Sequence, residues 1–290
     1  MKAYIASDLH WDDWAFDCKT AENYINGWKL PLSKNITGKE EHPGLLRKEE
    51  CIIVAGDIAN NYETWCQMVK ALSNNYKEVV LVLGNHDLTV DWGDNVRFAS
   101  TEEKIEAYKK FVKYYPNVHL LDGDVVKIGD TTIGGCMGMW DLAFIKNTGY
   151  RRYYSEDASA WREVNKKWKH WFDCKHWNYM NNRIDDIRDF ELGKIDKCLA
   201  QKPDIMVTHF CPFPGESMIP WEYRRSLASS LSFFYFDPKY TNEVKHWIAG
   251  HTHTPYFKVG YNKNIIVNPI GYFAENDVDK MVNDEWVIDV

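Results

Sequence analysis

Histidines, carboxylates and one asparagine gather at five short places in the chain, each where an apolar run ends. These are Ile5-Ala6-Ser7-Asp8-Leu9-His10, Val54-Ala55-Gly56-Asp57-Ile58-Ala59-Asn60, Gly84-Asn85-His86-Asp87 after Leu81-Val82-Leu83, Met206-Val207-Thr208-His209, and Gly250-His251-Thr252-His253. Imidazole nitrogens and carboxylate oxygens ligate divalent metals. Residues two apart on extended chain point the same way, so Asp8 with His10 and His251 with His253 are natural chelating pairs. The donors are nitrogen and oxygen only, which suits Mn, Fe, Zn or Co and disfavours a thiolate zinc site. Singly each signal is weak: most D-x-H or H-x-H tripeptides bind nothing, Gly-Asp after a strand is commonly a turn, and a lone His209 is more often core. Together, in order and all at strand ends, they point to one surface, because ligands in open α/β sheets gather outside the carboxyl ends of strands.

This ordered set, D-x-H, GD-x-x-N, GNHD, a single His and GH-x-H, resembles the motifs of the calcineurin-like metallophosphoesterases and spans Asp8 to His253. The resemblance implies an α/β fold, a four-layer αββα sandwich of two mixed β-sheets flanked by helices, with a dinuclear metal centre. It implies that Asp8, His10 and His253 hold the first metal, that Asn85, His209 and His251 hold the second, and that Asp57 bridges both. His86 is then the catalytic imidazole rather than a ligand, with Asp87 its orienting partner; Asn60 carries no assigned role. Two metal ions, Mn foremost with Fe, Zn or Co as alternatives, roughly 3.5–4 Å apart, share a hydroxide that attacks a phosphoester in line. His86 would stabilise phosphoryl oxygens or protonate the leaving group, and a carboxylate on its far nitrogen would fix its tautomer.

Gly134-Gly135-Cys136-Met137-Gly138-Met139-Trp140 is similar to the family's strand leading to a tryptophan near the active-site rim. Trp140, Asp141, Tyr150, Arg151 and Arg152 are therefore candidates for the substrate mouth, against the equally strong reading of an ordinary surface loop. Asn268-Pro269-Ile270-Gly271-Tyr272 resembles an NPRGY segment of one family branch, with Ile270 in place of the arginine. Cys211, two residues beyond His209, reads as a packing residue rather than a ligand.

Strands must end where these side chains begin. Lys2–Ser7, Cys51–Ala55 and Val79–Leu83 read as strands, the latter two covered on both faces. Between them Trp65, Met68, Val69 and Leu72 give a helical stripe over Tyr62–Ser73. Ser100 and Glu103 form a capping box before a second stripe of Ile105, Tyr108, Phe111, Val112 and Tyr115. Further strands are expected at Val118–Leu121, Val125–Ile128, Thr131–Cys136, Ile205–Thr208, Trp247–Ala249, Tyr256–Val259 and Ile265–Val267. Trp11–Glu50 shows no steady period. Tyr150–Leu199, with Trp161, Trp168, Trp171 and Trp177 among many charges, reads as a mainly helical insertion at about 150–199 within a single domain over 1–290.

A net charge of −7 and a pI near 5.8 argue against a protein whose main task is gripping a nucleic-acid backbone, while bound metals leave a small phosphorylated substrate open. Seven scattered cysteines, never spaced C-x-x-C, suggest free thiols in a reducing compartment. The strand-like KAYIAS directly after Met1 leaves no room for a signal peptide, and no apolar run approaches the roughly 20 residues of a membrane span, so a cytoplasmic protein without a membrane partner is expected. The leading function is a phosphoesterase acting on a small phosphodiester, monoester or nucleotide. A nuclease of the same superfamily is the first alternative, opposed by the acidic charge and the lack of a long coiled-coil-binding tail. A non-catalytic binding scaffold on the same fold is the second, opposed by the presence of His86.

Overall fold

Short, mostly apolar runs, flanked by glycine and polar residues, form the strands that carry the five motif sites. The computed structural model describes residues 1–29, 41–42, 44–91, 93, 95–141, 162, 165–212, 233–237, 240, 244–260, 263–272, 275 and 286–290. In chain order the elements are β1 (Lys2–Ala6), α1 (Trp11–Cys18), α2 (Ala21–Asn26), β2 (Trp28–Lys29), β3 (Glu41–His42), β4 (Cys51–Ala55), α3 (Tyr62–Asn75), β5 (Glu78–Val82), α4 (Thr101–Val112), β6 (Val118–Leu120), β7 (Asp124–Ile128) and β8 (Thr131–Cys136). They continue with α5 (Phe172–His176), a 3-10 turn at Met180–Asn182, α6 (Ile184–Leu199), β9 (Ile205–Thr208), β10 (His246–Ala249), β11 (Tyr256–Gly260), β12 (Lys263–Val267) and β13 (Val287–Asp289).

Two mixed sheets pack face to face. The first has the order β13-β1-β4-β5-β6, parallel except for β13; the second has the order β11-β12-β10-β9-β8-β7, with β11 and β7 antiparallel to their neighbours. The strands β4 and β5 are buried along almost their whole length, which explains their unbroken apolar sequence. Gly135 marks where the sheets close: a Cβ there would stand 2.7 Å from Val82 Cγ1. Helices α3 and α4 cover the first sheet and α6 covers the second, completing the four-layer αββα sandwich. No helix among the described residues is long and apolar enough to cross a membrane.

Local signals explain most boundaries. The side chain of Asn61 caps α3 by accepting the Thr64 N–H at 3.0 Å, and Ser100 caps α4 by accepting that of Glu103 at 3.3 Å. The return arm of the expected capping box lands one residue early, because Glu103 accepts the N–H of Ala99 rather than of Ser100. The aperiodic stretch Trp11–Glu50 holds α1, α2 and the short β2–β3 pair. Its aromatics hold the neighbouring loops: Tyr24 donates from its hydroxyl to Leu9 O, and Trp14 donates from its indole to Gly271 O, both at 2.8 Å. Within 150–199 the described residues 162 and 165–199 carry α5, the 3-10 turn and α6. Cys51, Cys66, Cys136, Cys174, Cys198 and Cys211 are free thiols.

Candidate active site

Each motif residue sits just past the carboxyl end of a strand. Asp8 and His10 follow β1, Asp57 follows β4, Asn85 and His86 follow β5, His209 follows β9, and His251 and His253 follow β10. Ser7 donates to Asn268 O and Ile270 to Ser7 O, stitching the two sheets together, while Gly250 donates to His209 O within the second, all at 2.9 Å. Of the ten non-glycine residues with positive φ among the described residues, five are Asp8, His10, Asp57, His251 and His253, with φ from 42° to 68°. Such backbone costs of order 1–3 kcal/mol at each position and persists only where the surroundings over-determine it.

The expected ligands converge. One group of donor atoms within 4.8 Å of one another comes from Asp8, His10 and His253, and another from Asp8, Asp57 and His209. Asp8 belongs to both groups, and Asp57 Oδ2, in the second, lies 3.2 Å from His209 Nε2 and 3.9 Å from His10 Nε2 of the first. Asn85 Oδ1 faces His209 Nε2 at 2.8 Å and His251 Nδ1 at 3.0 Å.

The outer nitrogens show that this is a place for cations. Those of His209, His251 and His253 meet Ala55 O at 2.9 Å, Phe233 O at 3.0 Å and Glu275 Oε2 at 2.7 Å. An oxygen without a hydrogen requires the N–H on that side, so in the neutral ring the inner nitrogen is left bare. Those bare nitrogens point at one another's neighbours and at two buried carboxylates, Asp8 and Asp57. His10 Nε2 and His253 Nε2 face at 3.1 Å. Lone pairs so arranged repel unless a proton or a metal ion lies among them, and the nitrogen and oxygen donor set fits two divalent cations.

The buried imidazoles and carboxylates also shift one another's titration. Burial lowers the His209 imidazole, but Asp57 outweighs it and holds it up at about 9. Burial raises the Asp57 carboxyl, yet His209 and the other imidazoles around it take it well below the usual carboxylate range. Asp8 is raised by burial. His10 and His251 fall well below the usual imidazole value, through burial first and neighbouring imidazoles second.

His86 stands apart from the convergent donors. Its Nδ1 lies 2.8 Å from Asn60 Oδ1, and the Asn60 amide donates to Asp12 Oδ2 at 2.8 Å. Because the Asn60 NH2 group is committed to that carboxylate, its oxygen faces His86. His86 therefore carries its proton on Nδ1 and presents a bare Nε2, which lies 3.3 Å from the Tyr272 hydroxyl. Burial brings its pKa down to about 4, so the ring is neutral at pH 7. Phe172 stacks on it at 4.3 Å between ring centroids.

Two sequence expectations are corrected. Asp87 does not orient His86. Its carboxylate accepts the backbone N–H groups of Gly84, Asp57, Ile58 and Ala59 at 2.7–3.1 Å, because the turn over Asn85–Leu88 sends the side chains of His86 and Asp87 in different directions. It ties the β4 and β5 loops together; burial and the Asp57 charge lift it to about 7. Trp140 does not line a mouth: it is fully buried among Trp168 and Phe233. Asp141 donates from its backbone to Tyr235 O and does not line the cleft over the donors, while Tyr150, Arg151 and Arg152 lie outside the described residues.

A cavity of about 340 Å³ opens over the convergent donors, walled by Trp171, Phe172, Phe234 and Tyr272 with Glu275 at its rim. A second lobe of about 660 Å³ shares His86, Phe172 and Tyr272 with it and adds Asp12, Asp13, Asn60, Asn61 and Thr64. Among the described residues neither lobe is lined by lysine or arginine. Sequence reasoning singled out none of these walls for the site. Tyr272 had a signal in the segment after GH-x-H, and Asn60 ends the second motif, but Phe172 and Asp173 carry no recognisable pattern. Asp173 is fully buried, accepts the Asn85 amide at 2.9 Å, and is lifted to about 7 by burial.

Two sheets with a convergent metal-ligand set at their shared strand ends define a metal-dependent phosphoester hydrolase. The calcineurin-like phosphoesterase model matches residues 1–255, and the chain belongs to that family. Among curated proteins none matches the chain. The chain is similar in structure to the phosphopantetheinyl hydrolase of Mycobacterium tuberculosis, at 16% identity and a TM-score of 0.67, covering 99% of this chain and 94% of that one. It is also similar to TT1561 of Thermus thermophilus, at 11% identity and a TM-score of 0.48, covering 92% and 88%. At these identities the likeness concerns the fold.

Proposed function

We propose that the protein hydrolyses a small phosphodiester or phosphomonoester, a nucleotide among them, using two divalent ions, manganese foremost. Asp8, His10 and His253 would hold one ion, Asn85, His209 and His251 the other, with Asp57 between them. The observation that carries this reading is the set of bare imidazole nitrogens converging with Asp8, Asp57 and Asn85 Oδ1. When bound, the ions supply Lewis-acid polarisation of phosphoryl oxygens and an activated water.

The protein's own groups do the rest. His86 Nε2 is the proton-handling atom: with Nδ1–H committed to Asn60, a proton passed to or from the leaving oxygen enters and leaves at Nε2. Tyr272 holds its hydroxyl beside that atom and its ring stacked on His10 at 4.1 Å. Trp171, Phe172 and Phe234 supply the apolar wall of the cavity over the donors. A cleft without lysine or arginine among the described residues suits a substrate bound through one phosphoryl group better than a nucleic-acid strand.

The test is a hydrolysis screen of the Mn2+-loaded protein. It covers bis-p-nitrophenyl phosphate, monoesters, cyclic nucleotides, dinucleotides, oligonucleotides and a phosphopantetheine diester, the last because a fold neighbour bears that name. Turnover of a small ester abolished by chelation is expected. Cleavage of oligonucleotides alone would favour the nuclease, and no turnover with any metal would favour the binding scaffold.

A further inference from the structure

The segment from Phe172 to Trp177 carries none of the motifs, yet it grips the residue at the centre of GNHD from both sides. Asp173 accepts the Asn85 side-chain amide on Oδ1 at 2.9 Å, and Trp177 donates its indole N–H to the Asn85 backbone carbonyl at 2.8 Å. Asp173 is wholly buried, and its Oδ2 has no hydrogen-bond partner among the described residues.

An asparagine amide is nearly symmetric in shape, and its two ends differ only in chemistry. Facing inward it meets the nitrogens of His209 and His251, at 2.8 and 3.0 Å. Bare nitrogens there would attract the NH2 end, and an NH2 group has no lone pair for a cation. The opposite face therefore has to decide which way the amide turns. Asp173 Oδ1 stands on that face and accepts the NH2 end at 2.9 Å, which sends the Asn85 Oδ1 inward.

We propose that Asp173 is a positioning residue for Asn85, holding Oδ1 toward His209 and His251 so that the second cation can bind. This rests on the metal-pair reading above. Like other groups that hydrogen-bond a metal ligand, it should be worth about 10–100-fold in metal affinity.

The discriminating variant is Asp173→Asn. It keeps size and burial and can still bond Asn85, but it can either accept or donate, so the amide is no longer forced one way. Mn2+ titration by calorimetry, with electron paramagnetic resonance to tell a coupled pair from single ions, gives a readout independent of turnover. Wild type is expected to bind two ions as a coupled pair. Asp173→Asn is expected to weaken the second ion about 10–100-fold, leave the first within about twofold, and lose the coupled spectrum. The swap Asp173→Asn with Asn85→Asp should restore the pair, since the carboxylate at position 85 offers oxygen on both faces. Asp173→Asn binding both ions like wild type, or weakening both equally, overturns this inference alone. A wild type that binds fewer than two ions overturns the metal-pair reading and this inference with it.

Discussion

Gly84→Ala tests how closely the site depends on contact between its loops. A Cβ at Gly84 would fall onto the carboxylate oxygen and backbone nitrogen of Asp57, 2.8 Å from its Cγ, where ordinary contact begins at 3.4 Å. Asp57 must retreat by more than half an ångström, and it has no flexible end to swing away. The same move strains two hydrogen bonds that fix the loops, His86 N–H to Asp57 Oδ1 at 2.8 Å and Gly84 N–H to Asp87 Oδ2 at 2.7 Å. Metal–ligand distances tolerate about 0.2 Å, and a displacement near 1 Å at a reacting centre costs about 100-fold. Overpacking adds about 1–3 kcal/mol of lost stability. The expected result is a fall in Mn2+ affinity and in turnover of bis-p-nitrophenyl phosphate of about 100-fold each, with a lowered Tm measured in chelator. Gly193→Ala is the control: its Cβ meets nothing within 4 Å on α6, and it should gain about 0.5–1 kcal/mol. Gly84→Ala with wild-type metal affinity and turnover would refute the reasoning.

His86→Ala should keep both metal ions and lose about 10²–10⁴-fold in kcat, whereas Asp57→Ala should lose the metal itself; near-normal kcat in His86→Ala removes its proposed role. Asn60→Ala frees His86 Nδ1 and should lower kcat about 10–100-fold with KM nearly unchanged, and an unchanged kcat would show that the bond does not position the ring. Away from the site, burial would raise the Asp122 carboxyl, but Lys194 and Lys109 outweigh it and hold it below its ordinary value. Its contribution to stability is present above the unfolded carboxylate value, about 4, and lost as pH falls through the lower folded value. Chemical denaturation across pH 2–5 should thus show a shallower acid loss in Asp122→Asn than in wild type, and equal slopes would contradict the coupling.

What was legible from sequence was whatever lies along one stretch of backbone. The strands were readable because β4 and β5 are covered on both faces, which leaves their runs unbroken and apolar. The five motif sites were readable because each proposed ligand sits within four residues of a strand end. Contacts between distant segments were not. The partner of His86 turned out to be Asn60 rather than its chain neighbour Asp87, since a tight turn sends adjacent side chains apart. Strand β13 pairs with β1 across nearly the whole length of the chain, and no local pattern announces it. Trp140 was expected at the mouth because Gly134–Trp140 resembles the family's strand leading to a rim tryptophan, but such a likeness does not separate a rim residue from a buried one.

The same division runs through the function. Loops at the ends of β1, β4 and β5 from one sheet and β9 and β10 from the other supply the convergent donors and His86, so the site exists only where the two sheets meet. That part follows from the family's common fold and motifs, and it sets the reaction class. What stands over the donors comes from elsewhere: Trp171 and Phe172 at α5, Phe234 before β10, and Tyr272 and Glu275 after β12. On the proposed reading these side chains would shape the space for the organic part of a phosphoester, and none belongs to the five metal-site motifs. Residues that hold a phosphoryl group are tied to fixed strand ends, while residues that choose the group attached to it have only to line a wall. Reaction class was therefore readable in five short stretches, and substrate preference has to be read from aromatic side chains that only folding brings together.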